Sequence, residues 1–165
     1  MVVDSKRVLV TGGAGFIGSH LVDRLVDEGF SVRVLDNLSS GSLTNIRAHV
    51  DSGKVEFVKG DIRNDKTVAE CVRGVGAVVH LAALVSVPYS VEHPDEAFEA
   101  NVEGTVNLLV SSARSKVQRF VFASSCAVYG DPARLPVDEK VAVSPVSPYA
   151  ESKVAAEKFV SGFCQ

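Results

Sequence analysis

Hydrophobic positions along the chain switch repeatedly between two patterns, short unbroken runs and longer stretches with helical spacing. Residues 7–11 carry Val8, Leu9, Val10 and Thr11 before a cluster of glycines, a run of the length and β-branched character of a buried strand. Between Phe16 and Glu28 the apolar residues Ile17, Leu21, Leu25 and Val26 recur at helical spacing, and Gly29 interrupts the pattern, which predicts a helix over that stretch. The same alternation continues. Strands are predicted over residues 31–35, 55–58, 77–80 and 120–123, and helices over 65–73, 94–115 and from Pro148 or Tyr149 to about Phe163. The Asn37-Leu38-Ser39-Ser40-Gly41 stretch leads away from the second strand as a loop, and residues 132–148 form a second, longer one. Five short apolar strands separated by helices predict an α/β fold, a mostly parallel sheet with helices on both faces.

Length and composition narrow this picture. A chain of 165 residues, 46% of them hydrophobic, supports one sizeable core, so a single domain is expected. A net charge of -3 argues against a broad nucleic-acid or anionic-membrane surface and favours a small ligand. No apolar run approaches the roughly 20 residues of a membrane-spanning helix, and the first residues have no signal-peptide pattern, so a soluble cytoplasmic protein is expected. Cys71, Cys126 and Cys164 are too few and too unevenly spaced for a disulfide framework or a zinc cluster and are read as reduced thiols. His20, His49 and His93 form no metal-ligand pattern, and His80 is read as a structural residue at a strand end. The last predicted helix reaches nearly to Gln165 with no further sheet after it. The expectation is therefore an N-terminal portion of a longer protein, truncated before a C-terminal substrate domain, or else an unusually short relative of such a protein, with the fifth strand exposed at an edge.

The glycine cluster carries the first chemical signal. Thr11-Gly12-Gly13-Ala14-Gly15-Phe16-Ile17-Gly18 sets glycines three apart between a strand and a helix. Such spacing suits a dinucleotide: a tight turn at Gly12, close approach of the backbone to pyrophosphate at Gly15, and close packing of helix on strand at Gly18. Free amides at the positive end of the helix complete an anion site. Asp36 closes the second strand, where a carboxylate accepts from the adenosine ribose hydroxyls and repels a 2'-phosphate, so NAD is expected rather than NADP. Arg33 does not offset this, because strand alternation turns it to the face of Leu35. Asp61 and Ile62 follow the third strand and suit the adenine amino group and ring, while Leu81-Ala82-Ala83 follow the fourth, where small side chains permit close approach of a cofactor.

A second signal lies far along the chain. Tyr149 and Lys153 stand four apart in Tyr149-Ala150-Glu151-Ser152-Lys153, hence on one helical face. A phenol is a poor base at neutral pH, and a neighbouring ammonium stabilises its phenolate. Tyr149 would then exchange a proton with a substrate hydroxyl while hydride moves at the adjacent carbon. Ser125 follows the fifth strand and could orient the reacting oxygen. Glu157 is one helical turn beyond Lys153 and could pair with it. These residues alone leave open an NAD-responsive binding module without turnover and a reductase or dehydrogenase.

Taken in order, the motifs resemble the NAD-dependent epimerase/dehydratase family of extended short-chain dehydrogenases/reductases, and most of all its UDP-glucose 4-epimerase-like members. The resemblance rests on Thr11 to Leu21, Asp36-Asn37-Leu38-Ser39, Gly60-Asp61-Ile62-Arg63, His80-Leu81-Ala82-Ala83, Asn101, Ser124 to Gly130 and Pro148 to Lys153. It implies a Rossmann-type fold and an NAD site drawing on Gly12, Gly15, Phe16, Ile17, Gly18, Asp36, Asn37, Asp61, Ile62, Leu81, Ala82, Ala83, Asn101, Tyr149 and Lys153. It further implies Tyr149 as the catalytic base and acid, Lys153 at the nicotinamide ribose, Ser125 at the sugar hydroxyl, and Asn101 supporting the cofactor side. The implied reaction is epimerisation of a UDP-hexose at C4 through a transient 4-keto sugar, by a homodimer that binds neither nucleic acid nor membrane. Related 4,6-dehydratases usually place Asp-Glu where this chain has Cys126-Ala127, so an epimerase or a simple reductase is favoured over a water-eliminating enzyme.

Overall fold

The computed structural model describes residues 4–163, so Cys164 lies outside the described residues. Among them the backbone forms two compact units, the first comprising residues up to Ala83 together with Asn107–Ala123, the second comprising Leu84–Val106 and the residues from Ser124 on.

The first unit is the predicted sheet. Strands β1 (Asp4–Thr11), β2 (Ser31–Asp36), β3 (Val55–Lys59), β4 (Val75–His80) and β5 (Arg119–Phe122) pair in parallel in the order β3-β2-β1-β4-β5. Because successive strand residues point to opposite faces, neighbours within β1 enter different cores. Leu9 packs with Leu35, Val68, Val72, Val78 and Leu108, whereas Val8 and Val10 pack with Val22, Val32, Val34 and Ile46. Continuous apolar strands are thus explained by burial on both faces, with helix α1 (Phe16–Asp27) supplying Val22 on one and α3 (Asp65–Cys71) supplying Val68 on the other. Between the loop at residues 37–41 and β3, where the sequence predicts no element, lie a 3-10 turn at Leu43–Asn45 and a short helix, α2 (Arg47–Asp51). Their backbone is nucleated by Ser42, whose hydroxyl caps the amide of Thr44, a local bond too short-ranged to show as periodicity.

Arg33 behaves as strand alternation requires. On the Leu35 face its guanidinium donates to the carbonyl oxygen of Cys71 at 2.6 Å and of Arg73 at 3.2 Å. It also pairs with Glu56 at 2.9 Å, so its charge is committed to the carbonyl end of α3.

The strand order reverses between β1 and β4. The chain winds outward from β1 to β3, then returns to place β4 on the other side of β1. In an open parallel sheet that reversal leaves a crevice beyond the carboxyl ends of the two central strands, and the segments there begin with Gly12 and Leu81.

The second unit is helical. It contains α4 (Val87–Glu92), α5 (Pro94–Phe98), a π-helical turn at Glu99–Glu103, the first residues of α6 (Gly104–Arg114), a 3-10 turn at Cys126–Tyr129, and α7 (Pro148–Phe163). Helix α7 packs on α4, α5, the π turn and the 3-10 turn. The single helix expected over residues 94–115 is therefore divided into α5 and α6 by a widened turn. That turn contains Asn101, whose side chain bonds to other segments, and π turns commonly mark such functional insertions. The long segment before α7 is tied back by the Ser144 amide, which donates to the Val128 carbonyl at 2.9 Å.

Candidate active site

In the first unit the glycine turn has the geometry its spacing anticipates. Gly12 has φ +70, and a Cβ there would lie 2.7 Å from the amide nitrogen of Ala82. A Cβ on Gly18 would strike the Gly12 carbonyl oxygen and fall 2.7 Å from the Cα of Gly13. Only backbone-sized residues let α1 descend this closely onto the turn. Gly15 is the N-cap of α1, with no side-chain cap and no acid in the first turn. The leading amides of α1 consequently face outward with the positive end of the helix behind them, the arrangement that binds phosphate. Phe16 and Ile17 beside them are 80% and 70% exposed, a large apolar surface to leave in water at a helix end.

Asp36 is buried and joins β2 to this turn. One carboxylate oxygen accepts from the Ala14 amide at 2.9 Å and the other from the Leu38 amide at 2.8 Å. Each oxygen retains a second lone pair for a ligand hydroxyl. Asn37 donates to Asp61 at 3.1 Å, and Arg63 binds both Asp61 oxygens, at 3.0 and 2.9 Å. The Arg63 bonds hold the Asp61 carboxyl down at about 2 against a smaller opposing effect of burial. Asp61 is therefore an ionised, already engaged acceptor, and Ile62 next to it belongs to the core.

Supporting contacts here were not anticipated. The Thr11 hydroxyl meets His80 Nδ1 at 2.7 Å and accepts from the Ala82 amide at 3.3 Å. His80, buried with its ring against Phe120 and Phe122, thus holds the Leu81-Ala82-Ala83 segment against Gly12, as suits a structural strand-end residue. The Ala14 carbonyl accepts from Asn45 at 2.8 Å and the Ser42 amide at 3.0 Å. Gly41 passes so close that a Cβ would be 2.8 Å from the Ala14 carbonyl carbon. The turn-forming Ser40-Gly41-Ser42 run was the available signal for this brace. Asn107, which donates to the Ile62 carbonyl at 2.8 Å, left none, because a polar residue inside a helical pattern reads as solvent-facing.

In the second unit Tyr149 and Lys153 both lie buried on α7. Among the described residues the Tyr149 phenol has no hydrogen-bond partner, so its oxygen is available to an external group. Ser125 is half-buried and caps the 3-10 turn, accepting from the Ala127 amide at 3.2 Å, which leaves its own proton free to donate. That turn packs on α7, bringing the Ser125 segment and the Tyr149 helix together. Asn101 is buried and fully used: it donates to the Leu84 carbonyl at 3.0 Å and the Ser152 hydroxyl at 2.9 Å, and accepts from the Leu84 amide at 2.8 Å. Its contribution is to hold the Leu84 segment and α7, with neither amide proton left over. Cys126 is exposed and free, and the buried Cys71 thiol is pushed up to about 11 chiefly by desolvation. Among the described residues no cluster of metal-ligating side chains occurs, and no helix is long and apolar enough to cross a membrane.

Burial pushes the Lys153 ammonium down to about 8, with Glu157 pulling weakly the other way. Lysine in the unfolded chain stays protonated to about 10.4, so from pH 8 upward the unfolded state holds the extra proton. Stability must then rise with pH across that window, by on the order of 3 kcal/mol at the limit. We expect Lys153→Met to be more stable than the wild type at pH 7, with the advantage shrinking by pH 10. Urea midpoints of both proteins at the two pH values check this; an advantage independent of pH would sink the assigned cause.

A switch-point crevice, an open helix N-terminus over glycines and a strand-end carboxylate together define a dinucleotide-binding α/β protein. The chain belongs to the NAD dependent epimerase/dehydratase family, whose sequence pattern matches residues 8–165. It is 46% identical over 156 residues to a putative UDP-glucose 4-epimerase of Methanocaldococcus jannaschii, covering 93% of this chain and 49% of that protein. The crystal structure of UDP-glucose 4-epimerase from Brucella ovis in complex with NAD superimposes with a TM-score of 0.88 at 39% identity, covering 96% of this chain and 47% of that one. DesIV, a dTDP-glucose 4,6-dehydratase from Streptomyces venezuelae with NAD bound, superimposes with a TM-score of 0.89 at 37% identity over 95% of this chain and 51% of that one. The chain spans about half the length of the curated relatives it matches.

Proposed function

We propose that the chain is the nucleotide-binding portion of an NAD-dependent enzyme that inverts C4 of a UDP-hexose through a transient 4-keto sugar. The observation that carries the reading is that one chain holds the family's Ser125, Tyr149 and Lys153 in one unit and an anion-binding turn with a ribose-binding carboxylate in the other. The turn fits NAD: its amides lack side-chain caps, Gly12 and Gly18 have no room for a Cβ, and Asp36 disfavours a ribose phosphate. When bound, NAD supplies a hydride acceptor that returns the hydride in the same turnover.

The protein's part is proton management and orientation. Tyr149 takes the C4 hydroxyl proton as the carbonyl forms and gives it back as the hydroxyl is restored. Ser125 donates to the same oxygen and holds it in line. Lys153, as the ammonium, binds the nicotinamide ribose and stabilises the phenolate. Phe16, Ile17, Asn37, Asp61, Ile62, Leu81, Ala82 and Ala83 line the cofactor, and Asn101 supports it through Leu84.

Dehydration is the competing chemistry, given the likeness to a 4,6-dehydratase. Water elimination needs an acid near Ser125, and Cys126 and Ala127 offer none. We place the whole protein in the cytoplasm as a homodimer, with both described cysteines free and with Phe98, Phe159 and Phe163 exposed on α5 and α7 as its contact surface. Incubating the whole protein with UDP-galactose and NAD should yield UDP-glucose by NMR without lasting NADH absorbance, and sedimentation should give twice the chain mass. Accumulating NADH would indicate a dehydrogenase, a 4-keto-6-deoxy product a dehydratase, and a single-chain mass would overturn the dimer.

A further inference from the structure

We propose that Ser90 is a positioning residue for the Tyr149 phenol, forming with Ser152 and Asn101 a buried clamp on the main chain of Tyr149; the inference rests on the role given to Tyr149 above. A helix begins with backbone N–H groups that its own turns cannot satisfy. In α7 they are all accounted for. Pro148 has none, Ala150 donates to the Ser147 hydroxyl at 3.2 Å, and Glu151 donates to the Ser147 carbonyl at 2.9 Å. The Tyr149 amide alone reaches outside the segment, to the Ser90 hydroxyl at 3.1 Å, 59 positions away on α4.

Ser90 has no freedom in this arrangement. Its own proton is committed to the Val87 carbonyl at 2.7 Å, and it is fully buried, so its lone pair stays directed at Tyr149. The carbonyl side of the same residue is held as firmly. The Tyr149 carbonyl accepts from the Ser152 hydroxyl at 2.7 Å, and Ser152 accepts from Asn101 at 2.9 Å. Both of these side chains are buried as well. With nitrogen and carbonyl pinned from different elements, the Cα–Cβ bond of Tyr149 has a set direction, and only two side-chain torsions remain between it and the phenol oxygen.

Helix α1 begins differently. There the first amides are left uncapped, as an anion site requires; here the helix start is closed, which removes it as a ligand site and makes it an anchor. Serial hydroxyl contacts of this kind cost more than they stabilise unless each is satisfied, and each is. Since misplacing a reacting group by about 1 Å can cost about a hundredfold in rate, loosening one side of the clamp should be visible in turnover.

The test is a cycle of four whole proteins: wild type, Ser90→Ala, Tyr149→Phe and the double variant, assayed with UDP-galactose, with NAD affinity and urea midpoint measured on each. Ser90→Ala should lower kcat about tenfold while KM and NAD affinity stay within about twofold, and it should have no further effect once Tyr149 is Phe. Ser90→Thr, which keeps the hydroxyl, should recover most of the loss. An equal loss in both backgrounds, or NAD affinity falling in step with kcat, would overturn the positioning role while leaving the epimerase reading intact. Full turnover by Tyr149→Phe alone would instead remove the role of Tyr149, and this inference with it. Should Ser90→Ala fail to fold, Ser152→Ala loosens the carbonyl side and must show the same dependence on the phenol.

Discussion

Tyr149→Phe is expected to lower epimerisation by about 10² to 10⁴ while NAD affinity changes less than about threefold. The hydroxyl is the only group removed, and among the described residues it has no partner inside the protein. Folding should therefore lose nothing, and the buried ring keeps its place on α7. The amides of the glycine turn and the Asp36 carboxylate, which carry the expected NAD contacts, lie in the other unit. Proton transfer alone is then affected, and the loss should appear in kcat rather than KM. Single-turnover reduction of enzyme-bound NAD by UDP-galactose measures the step directly; unimpaired reduction would exclude Tyr149 as the base.

Gly18→Ala should act at the opposite end of the problem, by damaging the cofactor site through its backbone. The added methyl meets the Gly12 carbonyl and the Gly13 Cα, both main-chain atoms, so no side chain can swing aside. Helix α1 must lift from the turn. We expect a loss of at least about 3 kcal/mol in stability, the upper range for forced overpacking, and a fall in NAD affinity of more than about tenfold because the leading amides move with the helix. Gly162→Ala is the control, since a Cβ there meets nothing within 4 Å and alanine favours a helix. Calorimetric NAD titrations and urea midpoints of the two variants separate the outcomes, and wild-type affinity in Gly18→Ala would show that close helix packing is not what shapes the phosphate site.

Much of this architecture is legible in the chain because it depends on neighbours in sequence. The five strands are short, mostly apolar runs, interrupted by Arg33 in β2 and Glu56 in β3, and the central ones are buried on both faces. Glycines three apart between a strand and a helix, Asp36 at a strand end and Tyr149 four before Lys153 all express spacings that one local structure imposes. Arg33 is a further case, since a period of two was enough to turn it away from Asp36 and toward α3. Other features had no local expression. The 3-10 turn and α2 after Ser42 are shorter than any hydrophobic period, and the π turn at Asn101 keeps a helical pattern while widening the backbone.

The amino-acid sequence by itself determined the five strands, the main helices, the parallel sheet, the dinucleotide turn and the placing of Tyr149 and Lys153 on one helical face, because each follows from backbone sterics or from periodic burial within a few residues. Only the tertiary structure decided what holds them. His80 on Thr11, Asn45 and Gly41 against Ala14, and Ser90 with Asn101 and Ser152 around Tyr149 join residues distant in the chain. Their bonds form only once the chain has folded and water has been excluded, so no local rule of propensity or spacing could anticipate them. The depressed ammonium of Lys153 has the same origin: burial, which no spacing encodes, turns an ordinary helical lysine into a group that titrates near 8.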